Sequence, residues 1–361
     1  MPTLLNATTA QAPVGGATHA TKDTMPAPFE MPGSAALIPV RTPDGHHRPS
    51  ATAGSEPSLG VSGWSHLQLL PSPPSDEEKY SYLRQHAGTL AVSCLVGYLC
   101  LILSQVESVL ADWRVLALSP FFVVTDIFFI SSVVISGGGR DFDVERHRRL
   151  VTEWRPTKHP EVDILLPVCG EPMDVLGNTW AHVAKLIADY PGVARAYVLD
   201  DAPSDAVKML AAAFAFSYGR RPDSGHLRKS GNLNFGLGCS RGEFILLLDA
   251  DFVCRQDFLT ETLPYFDAEP ALGILQTPQF FRVESRQNWL ERGAGAIQEI
   301  FYRAIQTSRQ TMGAAICVGT CAVYRRRALE ENGGFTQIDH SEDLHTGFDL
   351  NRMGWSLRYI P

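Results

Sequence analysis

The sequence predicts an α/β domain with a mostly parallel sheet, preceded by a transmembrane helical hairpin and a disordered tail. Three observations predict it. From residue 162 onward, short apolar runs alternate with helical stretches. Ahead of them lie two long apolar segments almost free of charge. Residues 1–75 are rich in Pro, Gly, Ala, Ser and Thr, with runs such as Pro71-Ser72-Pro73-Pro74.

The tail, residues 1–75, buries too little apolar surface to offset the entropy of ordering, so disorder is expected. It lacks the basic start, apolar run and cleavage site of a signal peptide. Residues 76–139 are read as the hairpin. Residues 87–106 carry no charge, and 20 residues is the length that crosses about 30 Å of hydrocarbon as a helix. A short polar turn leads to a second span, 115–135, whose one charge is Asp126. A carboxylate there should face another helix or water rather than lipid. Two soluble core helices are the alternative. Lys79 and Arg84 precede the first span, and Arg140, Arg146, Arg148 and Arg149 follow the second, so both ends are expected in the cytosol.

Residues 140–361 are read as the α/β domain. Strands are expected at 162–166, 195–199, 243–248 and 273–276, and helices at 174–188 and 204–217. This β–α alternation gives a parallel sheet covered by helices, and such sheets bind ligands beyond the carboxyl ends of their strands. A long helical stretch at 286–310 either lies on a membrane surface or packs on the sheet.

Bulk properties narrow the function. A net charge of −8 argues against a nucleic-acid partner. Seven scattered cysteines without a Cys-x-x-Cys pair argue for a reducing compartment. Cys317 and Cys321 are either a metal pair or two small half-buried residues beside a turn.

Acidic residues cluster at the ends of the expected elements. Asp200 and Asp201 close one strand, Asp249-Ala250-Asp251 follows another, and Ser341-Glu342-Asp343 opens a helix. Side chains two apart in an extended segment point the same way, so Asp249 and Asp251 can face one hard divalent cation. A solvated or capping pair is the plain alternative. Asp343 is a candidate general base, and a helix cap is its alternative.

Taken together, these motifs resemble family-2 glycosyltransferases of the cellulose synthase group. Val162–Pro167 with Glu171-Pro172 resembles the opening strand and turn. Leu199-Asp200-Asp201 resembles the uridine motif, and Lys229-Ser230-Gly231-Asn232-Leu233-Asn234 is similar to Lys-Ala-Gly-Asn-Leu-Asn. Asp249-Ala250-Asp251 resembles the metal motif. Gln276-Thr277-Pro278, Gly319-Thr320-Cys321-Ala322-Val323-Tyr324-Arg325-Arg326 and Ser341-Glu342-Asp343 follow in the family's order.

The resemblance covers residues 160–361 and implies a GT-A (Rossmann-like) domain on the cytosolic face of a multi-pass protein, with the plasma membrane as its expected location. It implies Mg²⁺ or Mn²⁺, UDP-glucose or another UDP-sugar as donor, and a growing polysaccharide as acceptor. Residue by residue, it places Asp200, Asp201, Lys229 and Asp249 on the nucleotide sugar and Asp249 and Asp251 on the metal. It makes Asp343 the base, and sets Gln276, Gly319, Thr320, Cys321 and Glu342 on the acceptor side. The implied product is a β-1,4-glucan; a mixed-linkage glucan, a mannan, transfer of one sugar to a lipid, or a catalytically dead binding subunit are alternatives.

Two departures stand out. Val168-Cys169-Gly170 replaces Thr-Tyr-Asn, and Cys321 replaces Asn or Ser. Cys169 has no nearby His in sequence and is not expected to be a nucleophile. The chain stops at Pro361, before the Gln-x-x-Arg-Trp motif, so a C-terminally truncated domain is expected.

Overall fold

The computed structural model describes residues 70–83, 87–137, 140–282 and 287–361. The expected tail therefore lies outside the described residues up to position 69. Residues 70–75 depart from the expected disorder. Their carbonyls are claimed by the domain: Asn178 donates to Pro71, Arg282 to Ser72 and Pro73, and Arg255 to Pro74.

A single helical turn, α1 (Asp76–Lys79), follows. The apolar pair α2 (Ala87–Ala111) and α3 (Ser119–Gly137) comes next, joined by a 3₁₀ turn at Trp113–Leu118. Both helices are long and apolar enough to cross a membrane. Their large apolar side chains face outward, with Leu110 82% and Phe128 74% exposed. Gln105 donates to Asp126 at 3.1 Å across the pair, so the expected helix-facing carboxylate is seen.

A basic helix, α4 (Val144–Glu153), returns the chain to the domain. There His147 Nε2 lies 2.7 Å from Glu261, which also takes Lys79 at 2.6 Å. One glutamate thus anchors the segments before and after the hairpin.

The domain is a seven-stranded sheet in the order β3-β2-β1-β4-β6-β5-β7. The first strands are β1 (Val162–Val168), β2 (Ala194–Asp200) and β4 (Phe244–Leu247). They pair in parallel, with Val162 opposite both Ala194 and Phe244. Their buried apolar stretches, 164–166, 196–199 and 244–247, suit strands covered on both faces. Helix α5 (Met173–Asp189) covers one face with Leu176, Trp180, Val183 and Leu186, all at helical spacing and all buried. Each such side chain contributes roughly 1.5–3 kcal/mol on leaving water.

The expected helix at 204–217 ends early. Helix α6 (Asp205–Ala213) stops, Ala215 turns at φ +56°, and β3 (Ser217–Gly219) joins the sheet edge. Phe214 and Phe216 then stack with ring centroids 5.5 Å apart, both against Trp180, so burial in an aromatic cluster outweighs continued helix. Helices α7 (Arg228–Cys239) and α8 (Phe258–Ala268) flank β4, and β5 (Leu272–Gln276) follows.

The stretch expected as one helix over 286–310 is three pieces: α9 (Trp289–Ile300), a π-helical turn at Phe301–Gln306, and α10 (Thr307–Thr311). Residues 283–286 lie outside the described set. Buried Gln306 exchanges two hydrogen bonds with the backbone of Ile316, which fixes the wider turn. Strand β6 (Ala322–Arg325) enters antiparallel between β4 and β5. Helices α11 (Arg326–Glu331) and α12 (Glu342–Arg352) follow, and β7 (Ser356–Tyr359) pairs in parallel with β5.

Candidate active site

The carboxyl ends of β1, β2 and β4 open on one mouth, and the acidic motifs stand around it. The two aspartates at the end of β2 are bound by their own chain. Asp200 is fully buried. Its oxygens accept from the backbone N–H of Ala202 and Ser204 and from the Tyr218 hydroxyl. Asp201 accepts two parallel bonds from Arg221, at 2.7 and 2.6 Å, plus others from Ser224 and the Gly225 N–H. Burial pushes its carboxyl up, but the Arg221 guanidinium outweighs this and holds it below the usual range. Asp200, expected on the nucleotide, shapes the loop that follows it through both of its oxygens.

The aspartates after β4 differ. The Asp249 N–H donates to Thr320 Oγ1 at 2.9 Å, and Lys229 Nζ sits 2.5 Å from Asp249 Oδ1. Among the described residues that ammonium is the one partner of the buried Asp249 Oδ1. Asp251 is exposed, and among the described residues no hydrogen bond or ion pair holds its carboxylate. Thr179, on α5, donates to the carbonyl of the intervening Ala250 at 2.6 Å.

Lys229 opens α7. Glycine and asparagine are poor helix formers, so tertiary bonds hold this turn. Ser230 donates to Thr336, Asn232 to Leu199, and Asn234 exchanges two bonds with Phe335. A side chain at Gly231 would meet Arg221 Nη1 and the His226 carbonyl, each 2.3 Å from its Cβ. The motif therefore docks a helix that aims one lysine at Asp249. Burial pushes Lys229 down, but the Asp249, Glu342 and Asp343 carboxylates outweigh it and hold the ammonium charged.

Asp343 stands in the first turn of α12, behind Ser341 at φ +59°. Its Oδ1 accepts from the Leu344 N–H at 2.8 Å. Gly319, at φ +81°, lies so close that a Cβ there would be 2.9 Å from Asp343 Oδ2. Glycine is therefore required on two counts. Glu342, one residue back, is buried with its Oε1 3.9 Å from Lys229. Burial pushes its carboxyl up, and Lys229 offsets only part of this.

Three residues expected on the acceptor side are buried in the scaffold. Gln276 is wholly buried, donating to the Thr277 and Thr320 carbonyls and accepting from the Val318 N–H. Thr320 is buried behind Asp249, and Cys321 is buried at φ +52°. Each is turned into the protein because the loop 318–321 needs internal partners to lie beside Asp343. Cys317 and Cys321 sit in separate apolar clusters, so they form no metal pair. Burial pushes the Cys317 thiol up to about 12. Cys169 is also raised, by burial and the nearby Asp201 charge, as an inert thiol would be.

A cavity of about 590 Å³ lies under residues 70–82, with Asp251 in its lining. Phe252, Phe280 and Phe281 line it; Lys229, Asp249 and Asp343 do not. Arg221 and Thr179 were not legible as site residues. Arg221 lies 20 residues from its partner and Thr179 lies 71, with no spacing pattern to link them.

A mostly parallel α/β sheet with carboxylates and one lysine at its strand ends places a charged mouth where such sheets bind ligands. Comparisons with known proteins supply the family. Residues 163–333 match the family model "Glycosyl transferase family 2". The chain is 32% identical over 293 residues to a cellulose synthase catalytic subunit (UDP-forming) of Pseudomonas fluorescens, covering 77% of this chain and 39% of that one. It is 32% identical over 209 residues to cellulose synthase 1 of Komagataeibacter xylinus, covering 57% and 13%. It thus spans well under half the length of these relatives. Among solved structures, the mannosyltransferase PcManGT of Pyrobaculum calidifontis, in complex with GDP-Man and Mn²⁺, aligns at a TM-score of 0.43 and 19% identity. The alignment covers 60% of this chain and 62% of that one. The chain carries a family-2 glycosyltransferase domain of the cellulose-synthase-like kind.

Proposed function

We propose that this chain is a membrane-bound, inverting glycosyltransferase that builds a β-1,4-glucan from UDP-glucose, with Asp343 as general base. One observation carries the reading. Lys229 joins three motifs that are far apart in sequence, lying 2.5 Å from Asp249 and 3.9 Å from Glu342, beside Asp343.

In this reading the nucleotide sugar enters over Asp201, Lys229 and Asp249. Lys229 steers the diphosphate. An Asp343 carboxylate oxygen takes the proton from the acceptor's 4-hydroxyl as it attacks the anomeric carbon. Direct attack from the face opposite the leaving group inverts that carbon. Gly319 leaves the room in which Asp343 can do this.

The residues fit a divalent metal. Asp249 Oδ1 is a buried oxygen whose one partner is the Lys229 ammonium, and Asp251 is free among the described residues. The described residues contain no cluster of three or more ligating side chains. Two carboxylates suit Mg²⁺ or Mn²⁺, which take their remaining ligands from phosphate and water. The ion, when bound, neutralises charge on the departing diphosphate.

The outward apolar faces of α2 and α3 support a bilayer location. The shared anchor at Glu261 supports both hairpin ends lying on the domain's side.

The test uses membranes carrying the chain, supplied with UDP-glucose and Mg²⁺ or Mn²⁺. We expect metal-dependent UDP release and a polymer that β-1,4-specific glucanases digest. Asp343→Asn should lower release by about 10²–10⁴-fold. UDP release without polymer would point to transfer of a single sugar. No release from any common nucleotide sugar would sink the reading.

A further inference from the structure

We propose that Thr179 on α5 is a positioning residue for Asp251, the second carboxylate of the proposed metal pair. The inference rests on the metal reading above.

A helical threonine usually turns its hydroxyl back to a carbonyl three or four residues earlier. Thr179 does not. It is fully buried, and its Oγ1 donates instead to the Ala250 carbonyl, 2.6 Å away and 71 residues on. That carbonyl belongs to the planar peptide that carries the Asp251 N–H. Fixing its direction fixes where the Asp251 Cα begins, and hence where its carboxylate can reach.

Asp251 needs such a hold. Asp249 is fixed twice, through its N–H on Thr320 and its carboxylate beside Lys229. Among the described residues Asp251 has no side-chain partner at all. Two buried hydroxyls, from elements on either side of β4, therefore grip the two halves of one turn. Thr320 holds the first half and Thr179 the second. Groups that orient metal ligands from behind typically change metal affinity 10–100-fold when removed.

The experiment measures Mn²⁺ binding to the full chain in detergent, with UDP present, from the electron-paramagnetic-resonance signal of free Mn²⁺. Thr179→Val keeps the shape and removes the hydroxyl; Thr179→Ser keeps the hydroxyl. We expect Val to weaken Mn²⁺ binding about tenfold or more, Ser to bind as the parent does, and metal-free UDP binding to be equal in all three. Should Val fail to fold, judged by circular dichroism, Thr179→Ala takes its place. Parent-like Mn²⁺ binding in the folded Val or Ala variant overturns the proposal and leaves the metal reading standing. Equal weakening in Val and Ser also overturns it, because the hydroxyl is then not the cause. A parent chain that binds no Mn²⁺ with UDP sinks the metal reading and this proposal together.

Discussion

Two pairs of aspartates stand at the ends of neighbouring parallel strands, and they are opposites. Asp200 and Asp201, at the end of β2, accept at least seven hydrogen bonds between them, all from the chain itself. Asp249 and Asp251, after β4, have one lysine between them, 2.5 Å from Asp249 Oδ1, and no other partner for either carboxylate among the described residues. A carboxylate saturated by its own protein has little left for a ligand. One left short is destabilising unless a ligand or solvent makes up the difference. The contrast separates carboxylates that build the mouth from those that remain available within it, although the sequence presents both as acidic pairs.

The comparison breaks most sharply at the second pair. Asp249→Asn and Asp251→Asn should each lower metal-dependent UDP release by about 10²–10³-fold, since a metal supplies several kcal/mol of transition-state stabilisation. Exposed Asp251→Asn should leave stability within about 0.5 kcal/mol. Assays over a metal titration, beside denaturant unfolding, check both. If Asp251→Asn unfolds the protein instead, the pairs are not opposites.

The first pair should fail the other way. Arg221→Met strands a nearly buried Asp201 charge and should cost about 3 kcal/mol of stability. The measurement is the urea midpoint at constant slope. The same pair also gives a pH signature. Because the folded Asp201 carboxyl is held below its ordinary value of 3.8, its contribution is present above that value. It is lost as pH falls through the lowered one.

Much of this was legible in the sequence, for stated reasons. Strands β1, β2, β4 and β5 carry short apolar stretches of the kind that burial on two faces favours, although Asp163 and Arg195 interrupt two of them. Asp249, Asp251 and Asp343 sit where elements end, which any pattern of elements exposes. Strands β3, β6 and β7 were missed because three or four residues carry no period, and their partners lie far along the chain. Helix α7 was hidden by its glycines and asparagines, whose helical state depends on bonds to Leu199, Phe335 and Thr336. Gln276 and Thr320 read as acceptor contacts because a motif shows that a residue belongs to a site. It does not show which way the side chain turns.

Glu342 gives the smallest effect and refines the contrast, because a buried carboxylate can also be left short without serving a metal. Its folded carboxyl is raised above the ordinary value of 4.5, first by burial, with Lys229 offsetting part. Between those values the folded state holds more protons than the unfolded, so stability falls as pH rises through the window. Below 4.5 both states are protonated and the penalty vanishes. Glu342→Gln removes the ionisation and should raise stability at neutral pH by under about 1 kcal/mol after solvent screening. The gain over the parent should shrink as pH falls towards 4.5. Melting temperatures of both proteins across pH measure this. A Gln variant less stable than the parent at neutral pH would mean that the Lys229 pairing outweighs burial. Glu342 would then belong with Asp201, as a carboxylate that builds the mouth.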